Sequence, residues 1–180
     1  MQKAISFFLL LFCLIVVNET YAYSPKSLPI SQNSDQWQVN IDKPKKTNKN
    51  MLQAKKDEFQ TYHFSVKNVG NSEVYNVNVE VFRNEPNKKT KYELFSLKES
   101  RLASGKTGFE HANLPVATKA DEVDVIITWQ EHPFRSMRNG QKVESRKFKE
   151  HFVFKEAKKE MGSGYIYTNI DIALFTSTSS

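Results

Sequence analysis

Cysteine is almost absent: Cys13 is the sole thiol in 180 residues, and it sits in an apolar run near the N-terminus. A disulfide-stapled scaffold and a cysteine-built zinc site are therefore excluded. Glycine and proline are scarce, six of each, which excludes collagen-like and low-complexity chains. No dinucleotide fingerprint, phosphate-cradling loop or Gly-x-Ser-x-Gly elbow is present. The four histidines, His63, His111, His132 and His151, lack the His-x-x-x-His spacing of a metal pair, so no metal or cofactor is expected. Asp42, Asp57, Asp121, Glu122, Asp124 and Glu131 are scattered carboxylates without an acid–base partner, and each reads as a solvated surface group. A non-enzymatic role is the expectation.

One long hydrophobic run exists, and it comes first. Lys3 opens a basic start, Ala4 to Val17 is almost unbroken apolar, and Thr20-Tyr21-Ala22 supplies small residues before Tyr23. That order is a secretory signal peptide over residues 1–22, with cleavage after Ala22. The run is shorter than the roughly 20 apolar residues of a spanning helix, so no stable transmembrane segment is expected after cleavage. Removing it also removes Cys13. A secreted chain without disulfides suits export from a Gram-positive bacterium better than a eukaryotic secretory route.

Beyond the leader the dominant signal has period two. Trp37, Val39 and Ile41 alternate with polar residues, as do Tyr62, Phe64 and Val66. Tyr75, Val77, Val79 and Val81 repeat the pattern, and so do Val123, Val125, Ile127 and Trp129. Phe148, Phe152 and Phe154 mark a last run. Successive side chains of a strand point to opposite faces, so each run reads as a strand with one buried face. Turn residues fall between them at Gly70-Asn71, Pro86-Asn87, Ser104-Gly105, Pro115 and Asn139-Gly140. Residues 92–97 and 106–113 are weaker strands, with Leu102 and Phe109 as their core contacts. No amphipathic helix competes. The expected fold is all-β, an immunoglobulin-like antiparallel sandwich of about seven strands over residues 36–157, with Trp129 in its core.

Phe64-Ser65-Val66-Lys67-Asn68-Val69-Gly70-Asn71-Ser72, followed by Tyr75 to Val81, resembles the strand–turn–strand of bacterial cell-adhesion-related and similar extracytoplasmic immunoglobulin-like domains. Leu102-Ala103-Ser104-Gly105-Lys106 resembles their next hairpin, so the similarity covers about residues 58–130. Such domains are accessory binding or spacer modules, which implies a non-enzymatic role and carries over no binding residue. Residues 23–35 read as a flexible lead-in, and residues 158–180 as a hinge with a C-terminal segment that adds an edge strand or serves interaction.

Charge is distributed unevenly within a formal net of +6. Phe134 to Lys149 carries Arg135, Arg138, Lys142, Arg146, Lys147 and Lys149 against Glu144 alone, with Phe134 and Met137 beside the arginines. Arginine, methionine and aromatics together are enriched in interfaces. A second basic stretch holds Lys43, Lys45, Lys46, Lys49, Lys55 and Lys56, and a smaller cluster holds Lys88, Lys89 and Lys91. The bland account is solvated loops that keep the protein soluble. The sharper account is an anionic partner outside the cell: a wall polymer, an anionic lipid or an acidic protein. Export and the lack of interleaved stacking aromatics argue against nucleic acid. Leu114-Pro115-Val116-Ala117-Thr118 lacks the Thr-Gly pair and apolar tail of a wall-sorting signal, so covalent wall attachment is not expected. The leading expectation is a secreted binding or accessory module of a bacterial cell surface. The alternatives are a self-associating extracellular structural protein and a secreted hydrolase of unrecognised type.

Overall fold

A computed structural model describes residue 25 and residues 27–45 and 51–155. The signal segment and the 158–180 tail lie outside the described residues. The described chain forms strands and no helix: β1 (Ile30–Asn33), β2 (Trp37–Asp42), β3 (Phe59–Asn68), β4 (Val74–Asn84), β5 (Lys91–Leu102), β6 (Thr107–Ala117), β7 (Glu122–Gln130), β8 (Phe134–Ser136), β9 (Lys142–Glu144) and β10 (Phe148–Lys155). One sheet has the order β1-β2-β3-β6 and the other β10-β7-β4-β5, while β8 and β9 form a separate ribbon. Every pairing is antiparallel. The two sheets bury their alternating apolar faces together, and the strand arrangement is consistent with an immunoglobulin-like sandwich.

The alternation in the sequence is realised almost residue by residue. Trp37, Val39 and Ile41 of β2 face Phe64 and Val66 of β3, and across the core lie Val77, Val79 and Val81 of β4 and Val123, Val125 and Ile127 of β7. Trp129 is 7% exposed and meets Trp37 edge to face at 5.5 Å. Leu102 and Phe109 are both buried, as expected.

Three expectations need correction. Tyr75 is only half-buried, and Val74 takes the core position. The cause is a register shift between Tyr75 and Asn78 against β7, where Asn76 adopts φ +49°. An extra residue in one strand moves every side chain before it to the opposite face. Pro115 does not turn the chain; it lies inside β6 opposite Thr61. A proline is tolerated there because β6 is an edge strand, where a missing N–H breaks no ladder bond on the open side. The sheet also reaches into the lead-in, where Ile30–Asn33 pair with Gln38–Ile41.

Loops at one pole are tied by a buried amide. Asn68 donates from Nδ2 to the carbonyls of Ser72 (2.9 Å) and Leu102 (3.1 Å). Its Oδ1 accepts from Gln36 Nε2 (2.6 Å) and the Gly70 N–H (3.0 Å). One side chain thus holds the β1–β2, β3–β4 and β5–β6 connections together. An added Cβ at Gly70 would lie 2.5 Å from Gln36 Nε2, so the Gln36 amide would have to move and its bond to Asn68 with it.

The free edges are managed by charge and by side-chain cover. β5 presents Lys91, Glu93, Lys98, Glu99 and Arg101 along its exposed length, charges that oppose strand addition. At the opposite side Gln32 of β1 donates to the Val153 carbonyl of β10 at 2.8 Å and links the two sheets.

Candidate functional site

The ribbon β8–β9 leaves the sandwich after Gln130 and returns at Phe148, so it projects from the pole where the Asn68 cluster lies. Its turn differs from the two-residue form that Asn139-Gly140 suggests. The Gly140 N–H donates to the Met137 carbonyl (2.9 Å), the Met137 N–H donates to the Gln141 carbonyl (2.8 Å), and only Gly140 has positive φ, +80°. That is a three-residue loop with Arg138 and Asn139 at the tip and glycine at the left-handed position.

Register decides which side chains can act together. Arg135 pairs with Val143, Ser136 with Lys142 and Phe134 with Glu144. Directly opposed residues share a face. Arg135 and Met137 therefore lie on one face, and Phe134 and Lys142 on the other, with Arg138 between them at the tip. The expected cluster of Arg135, Arg138 and Lys142 is thus a charge wrapped around a finger. Phe134 and Met137 are 61% and 45% exposed. Arg135, Ser136, Met137, Arg138 and Asn139 line an open concavity of about 530 Å³.

Among the described residues the ribbon's cations lack acidic partners, except that Lys147 lies 3.7 Å from Glu144. Arg146 and Lys147 follow β9 at its base. The base is fixed by Gln130, a fully buried residue that sequence patterning missed. Its Nε2 donates to Glu144 Oε1 (3.1 Å) and the Ser145 carbonyl (2.7 Å), and its Oε1 accepts from Asn76 Nδ2. A glutamine ending an apolar strand looks like a boundary residue, and nothing local marks it as an anchor.

The second basic stretch lies at the opposite pole, where β2 ends and β3 begins. There Lys45 pairs with Glu110 and Lys55 with Glu58 at 2.5 Å. Lys43 and Lys56 are exposed, while Lys46 and Lys49 lie outside the described residues. The Lys45 ammonium, then His63, holds the Glu110 carboxyl below its ordinary range. Lys91, of the third cluster, is also neutralised: it reaches Asp124 at 2.5 Å and Glu122 at 2.7 Å.

Asp124 corrects the reading of solvated carboxylates. It is 1% exposed and held by Lys91 and by His151 Nε2 at 2.6 Å. Burial pushes the neighbouring Glu122 carboxyl up, but Lys91 and Lys155 outweigh it and the net shift is downward. Asp121 bonds Asn84, whose Oδ1 accepts from the Asp121 and Glu122 N–H groups. These carboxylates hold loops and strand ends in place. Among the described residues, no group of three His, Asp or Glu is placed to hold a metal ion.

The profile of the YozF-like secreted proteins matches residues 21–160. The uncharacterized protein YozF of Bacillus subtilis (strain 168) is 32% identical over 154 residues, covering 77% of this chain and 86% of that protein. No solved structure matches the chain.

Proposed function

Since the chain belongs to the YozF-like secreted protein family, we propose that this secreted protein is a non-enzymatic binding module of a Gram-positive cell surface. In this reading the β8–β9 ribbon engages an anionic envelope polymer. The supporting observation is the unneutralised charge of a projecting finger: Arg135, Arg138, Lys142, Arg146 and Lys149 have no acidic partner among the described residues, whereas Lys45, Lys55 and Lys91 elsewhere do. Cations without internal partners are free to neutralise an external anion. Phe134 and Met137 add apolar contact on both faces of the same finger.

The test is retention of the exported protein on purified cell walls. Exposed charges are screened once the Debye length falls to about 10 Å or less, so retention at low salt should fall at 0.15 M and above. Replacing Arg135, Arg138 and Lys142 with Ser should weaken retention and leave the melting temperature unchanged, because all three side chains are exposed. Replacing Lys43 and Lys56 at the opposite pole is the control. Equal retention of wild type and ribbon variant at low salt would reject the ribbon as the binding surface.

A further inference from the structure

Registers of the β10-β7-β4-β5 sheet place four polar residues in one row across its outer face. Lys98 of β5 opposes Asn78 of β4, Asn78 opposes Thr128 of β7, and Thr128 opposes Lys149 of β10. Three strand spacings separate the end residues, about 14 Å. A cavity of about 450 Å³ opens over this row at the foot of the ribbon, lined by Asn76, Asn78, Lys98, Ser100, Thr128 and Lys147. Val77 and Glu99 complete the lining. Lys98 and Lys147 line it, Lys149 ends the row on the β10 side, and of the three only Lys147 has an acidic neighbour among the described residues, Glu144 at 3.7 Å.

The polar groups in this trough are poorly used by the protein itself. Asn78 Oδ1 accepts only a long 3.4 Å bond from Ser96. Among the described residues, Ser100, Thr128, Lys98 and Lys149 have no side-chain partner. Asn76 is held in its left-handed conformation by the bulge and by its bond to Gln130, the residue that also anchors the ribbon. Bulges re-aim side chains, and strained backbone persists where its surroundings over-determine it.

The geometry points to a binding site for a polyol phosphate unit: the lysines take the phosphate, and Asn78, Ser100 and Thr128 take the adjoining hydroxyls. This inference rests on the ribbon's engagement of an anionic polymer and names the chemistry that would be selected. A long-range cationic finger attracts any polyanion. Neutral amide and hydroxyl groups between cations discriminate, because a polyol supplies hydroxyl partners to them that a polycarboxylate without hydroxyls does not.

The experiment measures binding of the exported protein to a short, soluble glycerol phosphate oligomer and to an oligoglutamate of equal charge. Wild type should prefer the glycerol phosphate oligomer by about tenfold, the effect of one or two well-made hydrogen bonds between neutral groups. The double variant Asn78→Ala, Lys98→Gln should lose that preference with an unchanged melting temperature. Equal affinity of wild type for both oligomers overturns the site, as does a preference that survives in the variant. The ribbon variant with Ser at 135, 138 and 142 should bind both oligomers more weakly and keep the preference. If it binds as wild type while the double variant loses the preference, the ribbon reading fails and the trough stands. Phosphatidylglycerol vesicles carry the same headgroup chemistry; comparable binding to them assigns the ligand to lipid, and binding to the oligomer alone assigns it to a polymer.

Discussion

Trp129 occupies the junction of core and ribbon. Its indole meets Trp37 edge to face and is stacked by Phe148 at 5.6 Å, so truncation removes contacts on both sides. Trp129→Ala should cost about 3–5 kcal/mol, the usual range for deleting a buried large aromatic. A denaturant midpoint within error of wild type would show that the indole does not fill the sandwich. Glu150 acts in the opposite sense. Burial, reinforced by Asp35, raises its pKa against a hydrogen bond from Ser34 that lowers it, and its Oε2 lacks a partner among the described residues. A carboxyl whose pKa is raised on folding penalises the native state once pH rises through the unfolded value, about 4.3. Glu150→Gln should therefore raise the melting temperature at pH 7, and the gain should vanish as pH falls below that value. An unchanged or lower melting temperature at pH 7 would contradict the assignment.

Elements were legible in the sequence where one face is buried and the strand is regular. β2, β3, β7 and the middle of β4 carry β-branched and aromatic residues at every second position, a pattern that few other structures satisfy. Legibility ended where pairing, not composition, sets the outcome. The bulge at Asn76 is a property of two strands at once, and Pro115 is acceptable only because β6 has an open side. Short β1 has too few residues to show a period, and β5 is exposed along most of its length, so burial leaves little trace in it. The basic finger was visible as a charge run, but which charges share a face waited on register. The trough was invisible for the same reason, since its four residues come from four strands. Gln130 offers a test at this scale. Gln130→Leu removes the bonds to Glu144 Oε1 and the Ser145 carbonyl that fix the ribbon base. Amide hydrogen exchange should rise in residues 134–144 while core strands β3 and β7 stay protected. Unaltered protection of the ribbon would show that it is held by other means.

At the scale of the molecule, the polar trough on one sheet and the finger at one pole adjoin at Lys147, which follows the finger's second strand and lines the trough. At the opposite pole Lys45 and Lys55 are paired with Glu110 and Glu58. The connections that make this sandwich also set its timetable. β3 finds β6 only after β4 and β5 have been laid down, and β4 and β7 meet across a similar gap. Chains dominated by such non-local pairings fold slowly, roughly in milliseconds to seconds. A protein that crosses a membrane unfolded must pass that interval outside the cytoplasm, with strand edges open to its neighbours. The lysine, glutamate and arginine of β5 then act before the native state exists: they keep this exposed edge from templating another copy while the non-local pairings are still being found.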